Sequence, residues 1–233
     1  MLFRSNQMTT AGYQAVLLES STLGDGQTIA SQGMIHGGIK YALGGGLTES
    51  SEAIAAMPGR WRQALAGEGG VDLSGTRILS EHFYMWSPGD IGSRLGTLVA
   101  SRALRGRVET VSREAYPAVF DSPDFRGKLL RLVDLVVDVP SMLENLAQNC
   151  AGRIFSTGET TTRLRRDSDD STLVETSVGC IKARRTVLAA GLGNEALLAD
   201  LDCAKPATQR RPLHQVLVRH EHHHELDRKS TRL

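Results

Sequence analysis

The chain has 233 residues, 40% hydrophobic and 23% charged, which is the composition of a globular protein rather than a disordered or fibrous one. With 27 basic against 26 acidic residues the net charge is +1, and aromatics make up 5%, which argues against a nucleic-acid partner. Cys150, Cys180 and Cys203 form no CxxC pair and fit small buried side chains in a reducing compartment. No apolar run reaches the ~20 residues of a spanning helix, so the cytoplasm is the default expectation, with peripheral membrane association left open.

Thr10-Ala11-Gly12-Tyr13 reads as the end of a helix with Gly12 as its cap, whereas Met1 to Ser5 do not read as helix. Ala15-Val16-Leu17-Leu18-Glu19 predicts a buried parallel strand with a carboxylate at its C-terminal end. Ser20 to Gly46 is polar and rich in glycine, a backbone suited to close approach to a ligand. Ile54, Met57, Trp61 and Leu65 share a helical face, with Pro58 limiting that helix and Trp61 expected in the core.

Arg77 to Trp86 predicts one strand, and Gly92 to Leu104 a helix. Leu129 to Val139 is an extended apolar segment arriving at Asp138, and Pro140 fits the first turn of a helix running to about Cys150. Arg153 to Ser156 and Thr160 to Arg166 read as strands, with a hairpin turn over Asp167 to Ser171 and a return over Thr172 to Val178. The acids of that turn are expected to be solvated rather than to hold a cation. Thr186-Val187-Leu188-Ala189-Ala190 reads as a further apolar strand ending at Gly191, followed by a short helix over Asn194 to Leu201.

Parallel-type strands and helices at both ends, with hairpin strands between them, predict an α/β (α+β) fold: a Rossmann-like dinucleotide-binding layer carrying an inserted antiparallel sheet. The expected divisions are a partial cofactor segment over 1–48, a substrate-side insertion over 49–136, a second cofactor segment over 137–202, and the start of a substrate-side sheet over 203–233.

In such a layer an acid at a strand end accepts hydrogen bonds from a ribose diol, and Glu19 is the candidate. The stretch from Thr28 to Leu43 combines small hydroxylated residues with glycines, which offers donors to a pyrophosphate and lets the chain pass close to a flat ring. Its Ser31, its Ile35-His36-Gly37-Gly38 core and the Lys40-Tyr41 pair resemble the flavin-contacting segment of the D-amino-acid-oxidase-like FAD-dependent oxidoreductases. Within that group the stretch is most similar to the glycerol-3-phosphate-dehydrogenase-like and 2-hydroxyacid-oxidising branches. Val137-Asp138-Val139-Pro140 resembles the family's crossing into its second cofactor segment. Gly152 to Asp167 resembles the strand along the adenine, with Thr161 where the family usually has Val. Thr186 to Gly191 resembles the late strand whose glycine approaches the pyrophosphate.

The resemblance implies FAD as cofactor, held by Glu19, Ser31, Gln32, Gly33, Met34, Gly37, Thr161 and Gly191. It implies oxidation of a small-molecule substrate by hydride transfer, and a further electron acceptor that the residues do not identify. His36 lies beside the isoalloxazine in this resemblance, for orientation or base chemistry, and Arg211 and His214 are candidates to meet an anionic substrate. The family's Gly-x-Gly-x-x-Gly turn before the ribose acid is missing, since eighteen residues precede Glu19 and none of Met1 to Thr10 is glycine. That predicts a sequence truncated at both ends, and the rival reading is an inactive fragment acting at most as an interaction surface. A nicotinamide-dependent reductase needs the same glycine turn. His220, His222, His223 and His224 with Glu221 and Glu225 are read as incidental rather than as a metal site.

Overall fold

The computed structural model describes residues 1–38, 54–87, 108–158, 162–210 and 231–232. In chain order its elements are α1 (Leu2–Thr10), β1 (Leu17–Glu19), β2 (Met34–Ile35), α2 (Met57–Leu65), β3 (Ile78–Ser80), β4 (Phe83–Ser87) and β5 (Val108–Thr110). They continue with β6 (Lys128–Leu132), β7 (Leu135–Val137), α3 (Val139–Asn149), β8 (Ile154–Ser156), β9 (Arg163–Arg166), β10 (Thr172–Thr176), β11 (Gly179–Ala183), α4 (Asn194–Asp200) and β12 (Thr231–Arg232). The chain forms two units, one of Met1–Asp25 with Ala147–Arg219, the other of Gly26–Leu146 with His220–Leu233.

In the first unit, Met1 to Ser5 depart from the expectation, because the helix begins at Leu2. The reason is tertiary. Leu2 and Asn6, one turn apart, are buried, and the Asn6 amide donates to the Leu2 carbonyl and to Cys150 Sγ, each at 3.0 Å. Packing of one face holds a helix whose composition alone does not. The chain leaves α1 through Gly12 at φ +85°, as its sequence suggests.

β1 pairs in parallel with β8, setting Leu17 beside Ile154 and Glu19 beside Ser156, and the Thr157 amide extends the pairing by donating to the Glu19 carbonyl at 2.9 Å. β9, β10 and β11 form an antiparallel meander with Leu164 and Val174 buried on one face. The acids of the β9–β10 turn are closed by a lysine: Lys182 Nζ lies 2.7 Å from Asp167 Oδ2 and 2.8 Å from Asp169 Oδ2. Its hydrogen bonds hold both carboxyls below the ordinary aspartate range.

Thr186 to Ala190 is not a strand. After β11 the backbone pairs with no strand over these residues, and Val187 is 50% exposed. Apolar composition prepares a segment for a ladder, but only a partner makes one. α4 follows as expected. Asn194 Oδ1 accepts the Ala190 N–H at 2.7 Å, and Asp200 accepts from the Leu164 amide at 3.1 Å and from Arg163 at 3.0 Å.

In the second unit a four-stranded sheet runs β12-β4-β6-β5 and a three-stranded sheet β2-β7-β3. The strand expected over Arg77 to Trp86 and the extended apolar segment over Leu129 to Val139 are each divided. Arg77 to Trp86 breaks at Glu81-His82, where Ser80 Oγ donates to the His82 carbonyl at 2.6 Å. Leu129 to Val139 breaks at Val133-Asp134, so that β6 serves one sheet and β7 the other. Buried Leu129, Leu130 and Leu132 on β6 and Leu135, Val136 and Val137 on β7 supply much of the core. Tyr84, Phe120 and Leu129 cluster, with Trp86, Tyr116 and Phe125 packed against them.

Pro58 lies in the first turn of α2 and is buried there. Its missing N–H costs nothing at that position, so it starts the helix rather than limiting it. Trp61 is half-buried, not a core residue. Asp138 caps α3, accepting the Ser141 N–H at 3.0 Å and pairing with Arg77 at 2.8 Å. The helix expected over Gly92 to Leu104 lies outside the described residues.

Candidate functional site

Glu19 sits at the C-terminal end of β1, half-buried, where a parallel strand delivers its last side chain to the sheet edge. Its Oε1 accepts the Ser21 N–H at 3.2 Å, and Oε2 has no partner among the described residues. That unspent oxygen suits a diol. Gly191 belongs to the same unit, on the approach to α4, with φ +60° and no heavy atom within 4 Å of where a Cβ would stand. The backbone there is open to close approach by a ligand.

The second unit carries Ser31 to Gly37 as one stretch. Ser31 and Gln32 are exposed, and their side chains have no hydrogen-bond partner among the described residues. Gly33 serves packing: φ is +65°, and a Cβ would stand 2.1 Å from the Val137 carbonyl oxygen. Its own carbonyl accepts the Val137 N–H at 2.9 Å, and Met34 and Ile35 then pair with Val136 and Leu135. The close approach that the sequence assigns to this glycine is therefore made by β7 of the same chain.

His36 is exposed, and its Nδ1 accepts the Gly38 N–H at 3.3 Å. A neutral imidazole that accepts through Nδ1 carries its proton on Nε2, so the outward nitrogen is a donor. The Gly37 N–H donates to Asp134 Oδ1 at 2.9 Å. Asp134 is 4% exposed and lies at the break between β6 and β7. The sequence reading did not single it out. An acid at the centre of a β-pattern was the available signal, because a buried carboxylate must find donors.

Arg62 of α2 reinforces the same break, donating to the Val133 carbonyl at 3.0 Å and to the Glu81 carbonyl at 2.7 Å. Below it, Asn145 Oδ1 accepts from the Gly75 amide at 3.0 Å and from Thr76 Oγ1 at 3.2 Å. Thr161, Arg211, His214 and the His220 to Glu225 cluster lie outside the described residues, as do Lys40 and Tyr41. Among the described residues no group of His, Cys, Asp and Glu is placed to hold a metal, and no helix is long and apolar enough to cross a membrane.

Each unit by itself carries features that suit a dinucleotide cofactor: in the first, an acid with a spare oxygen at a strand end and an open glycine before a helix; in the second, a pinned stretch beside the exposed Ser31 and Gln32. The comparisons agree. A family model described as FAD dependent oxidoreductase (DAO) matches residues 7–231. A Pseudomonas aeruginosa protein, PA4991, described as an FAD-dependent oxidoreductase, is 47% identical over 218 residues, covering 94% of this chain and 55% of the relative. The crystal structure of PA4991 superposes with a TM-score of 0.71 at 38% identity, over 90% of this chain and 50% of that one.

Glycine oxidase from Geobacillus kaustophilus shares the fold at a TM-score of 0.59 and 16% identity, covering 85% of this chain and 54% of that one. L-alpha-glycerophosphate oxidase from Mycoplasma pneumoniae, solved with FAD bound, does so at 0.56 and 16%, covering 84% and 53%. The chain thus spans about half the length of the relatives it matches.

Proposed function

Because the chain belongs to the FAD-dependent oxidoreductase family typified by D-amino-acid oxidase, we propose that it supplies part of an FAD site that oxidises a small organic substrate. The observation that supports this most is the carboxylate of Glu19 at the end of a parallel strand, whose Oε1 accepts the Ser21 N–H while Oε2 has no partner among the described residues.

Bound FAD would supply the hydride-accepting chemistry for a substrate C–H next to an oxygen or nitrogen, with a further acceptor needed to take the electrons. The chain's own residues bind and orient. Glu19 accepts hydrogen bonds from the ribose diol through Oε2, while Ser21 fixes the other oxygen. Ser31 and Gln32 offer donors to the pyrophosphate, and Gly191, with open space at its α-carbon, allows close approach from its own segment. Met34 is held by its pairing with Val136. His36 presents Nε2–H as a donor, a role of orientation rather than proton abstraction, because Nδ1 is already engaged. By the family resemblance, Thr161 would serve the adenine side, and Arg211 and His214 would meet an anionic substrate.

The test is the visible absorption of the purified chain after FAD is added and the sample is desalted. Retained flavin bands support the proposal, and in that case Glu19→Ala weakens FAD binding by about tenfold, the value of a lost charge-assisted hydrogen bond. A colourless wild-type protein removes it, leaving a family member that does not hold the cofactor.

A further inference from the structure

We infer that Asp134 is a positioning residue that fixes the His36–Gly37 segment by holding the Gly37 amide; this rests on the flavin reading above. β2 is two residues long, and its ladder to β7 ends at Ile35. Two residues beyond it the Gly37 N–H donates to the buried carboxylate of Asp134 at 2.9 Å.

The carboxylate is itself held in place. It sits where one chain passes from the four-stranded sheet into the three-stranded sheet, between β6 and β7. The carbonyl of the preceding residue, Val133, is bound by Arg62 of α2. A continuous chain of contacts therefore runs from α2 through the Val133-Asp134 break to Gly37, and His36 is carried between the ladder at Ile35 and this bond.

An acid suits the task better than a serine or threonine. Its oxygen reaches across from the break, and a carboxylate–amide bond in a buried place is stronger than a neutral one. Arginine or lysine has no acceptor to offer.

Amide exchange at Gly37 and FAD titration by quenching of flavin fluorescence are compared for the wild-type chain, Asp134→Asn and Asp134→Ala. In the wild type the Gly37 amide is expected to exchange about a hundredfold or more slowly than an open amide. Asp134→Asn, whose side-chain oxygen accepts the same N–H, is expected to keep that protection and to retain FAD affinity within about threefold. Asp134→Ala is expected to open the Gly37 amide and weaken FAD about tenfold or more, while the amides of Leu130 and Val136 stay protected.

An unprotected Gly37 amide in the wild type overturns the inference. So does an Asp134→Ala chain that keeps either its Gly37 protection or its FAD affinity. Should the alanine variant lose protection at Leu130 and Val136 as well, Asp134→Asn decides: a folded asparagine variant with an open Gly37 amide refutes the clamp, and a protected one supports it. If the wild type takes up no FAD the proposed function fails, and the exchange measurements still decide whether Asp134 fixes the segment.

Discussion

Replacing Gly33 with alanine adds one methyl group at a point where the structure leaves no room for it. At φ +65° an L-residue costs about 1–2 kcal/mol. The new Cβ would stand 2.1 Å from the Val137 oxygen and 3.2 Å from both the Val137 carbonyl carbon and Val139 Cγ2. Since a backbone oxygen cannot swing aside as a side chain can, the two strands must part by about an ångström. That breaks the Val137 N–H bond to the Gly33 carbonyl, worth about 1 kcal/mol, and disturbs the short β2–β7 ladder. The expected loss is about 3 kcal/mol or more.

Gly26→Ala is the control. Its φ is +68°, yet no heavy atom lies within 4 Å of the built Cβ, so only the conformational cost of about 1–2 kcal/mol applies. Both tryptophans, Trp61 and Trp86, lie in the second unit with these glycines, so urea unfolding followed by tryptophan fluorescence reads the affected part of the chain. A Gly33→Ala midpoint no lower than that of Gly26→Ala would refute the reasoning, because it would mean that the Val137 contact imposes nothing beyond backbone conformation.

Asp138→Asn is expected to weaken the cap of α3 and the bond to Arg77, at about 1 kcal/mol near neutral pH. The Arg77 hydrogen bond, then the Ser141 amide, hold the Asp138 carboxyl below the usual aspartate value. The stability this provides is therefore full above the unfolded value of about 4 and fades as pH falls through the lower folded value. The gap between wild type and Asp138→Asn should close on acidification in urea titrations at stepped pH. Asn145→Ala strips the acceptor from the Gly75 amide and from buried Thr76, and is expected to cost about 2 kcal/mol by the same fluorescence assay. Lys182→Met leaves Asp167 and Asp169 without their shared cation, and carbon-detected NMR titration should show the Asp169 carboxyl returning toward its ordinary value of 3.8.

Local chemistry decided much of this chain. Gly12 ends α1, Asp138 and Pro140 start α3, and the Asp167 to Ser171 turn joins β9 to β10, because capping and turn preferences act over a few residues and need no distant partner. The apolar run ending in Glu19 announced a parallel strand with an acid at its tip, and the Ser31 to Tyr41 stretch carried the family resemblance. Tertiary structure decided the rest. Leu2 to Ser5 are helical because Asn6 and Cys150 meet across the chain, and Thr186 to Ala190 fail to form a strand because no ladder reaches them. Gly33 illustrates the division most clearly: its freedom to take positive φ is written in the sequence, but the neighbour that needs it, the Val137 carbonyl, is more than a hundred positions away. Asp134 likewise stands in an apolar segment, and folding brings it the Gly37 amide, since hydrogen-bond partners of a buried acid are set by packing and not by sequence neighbours.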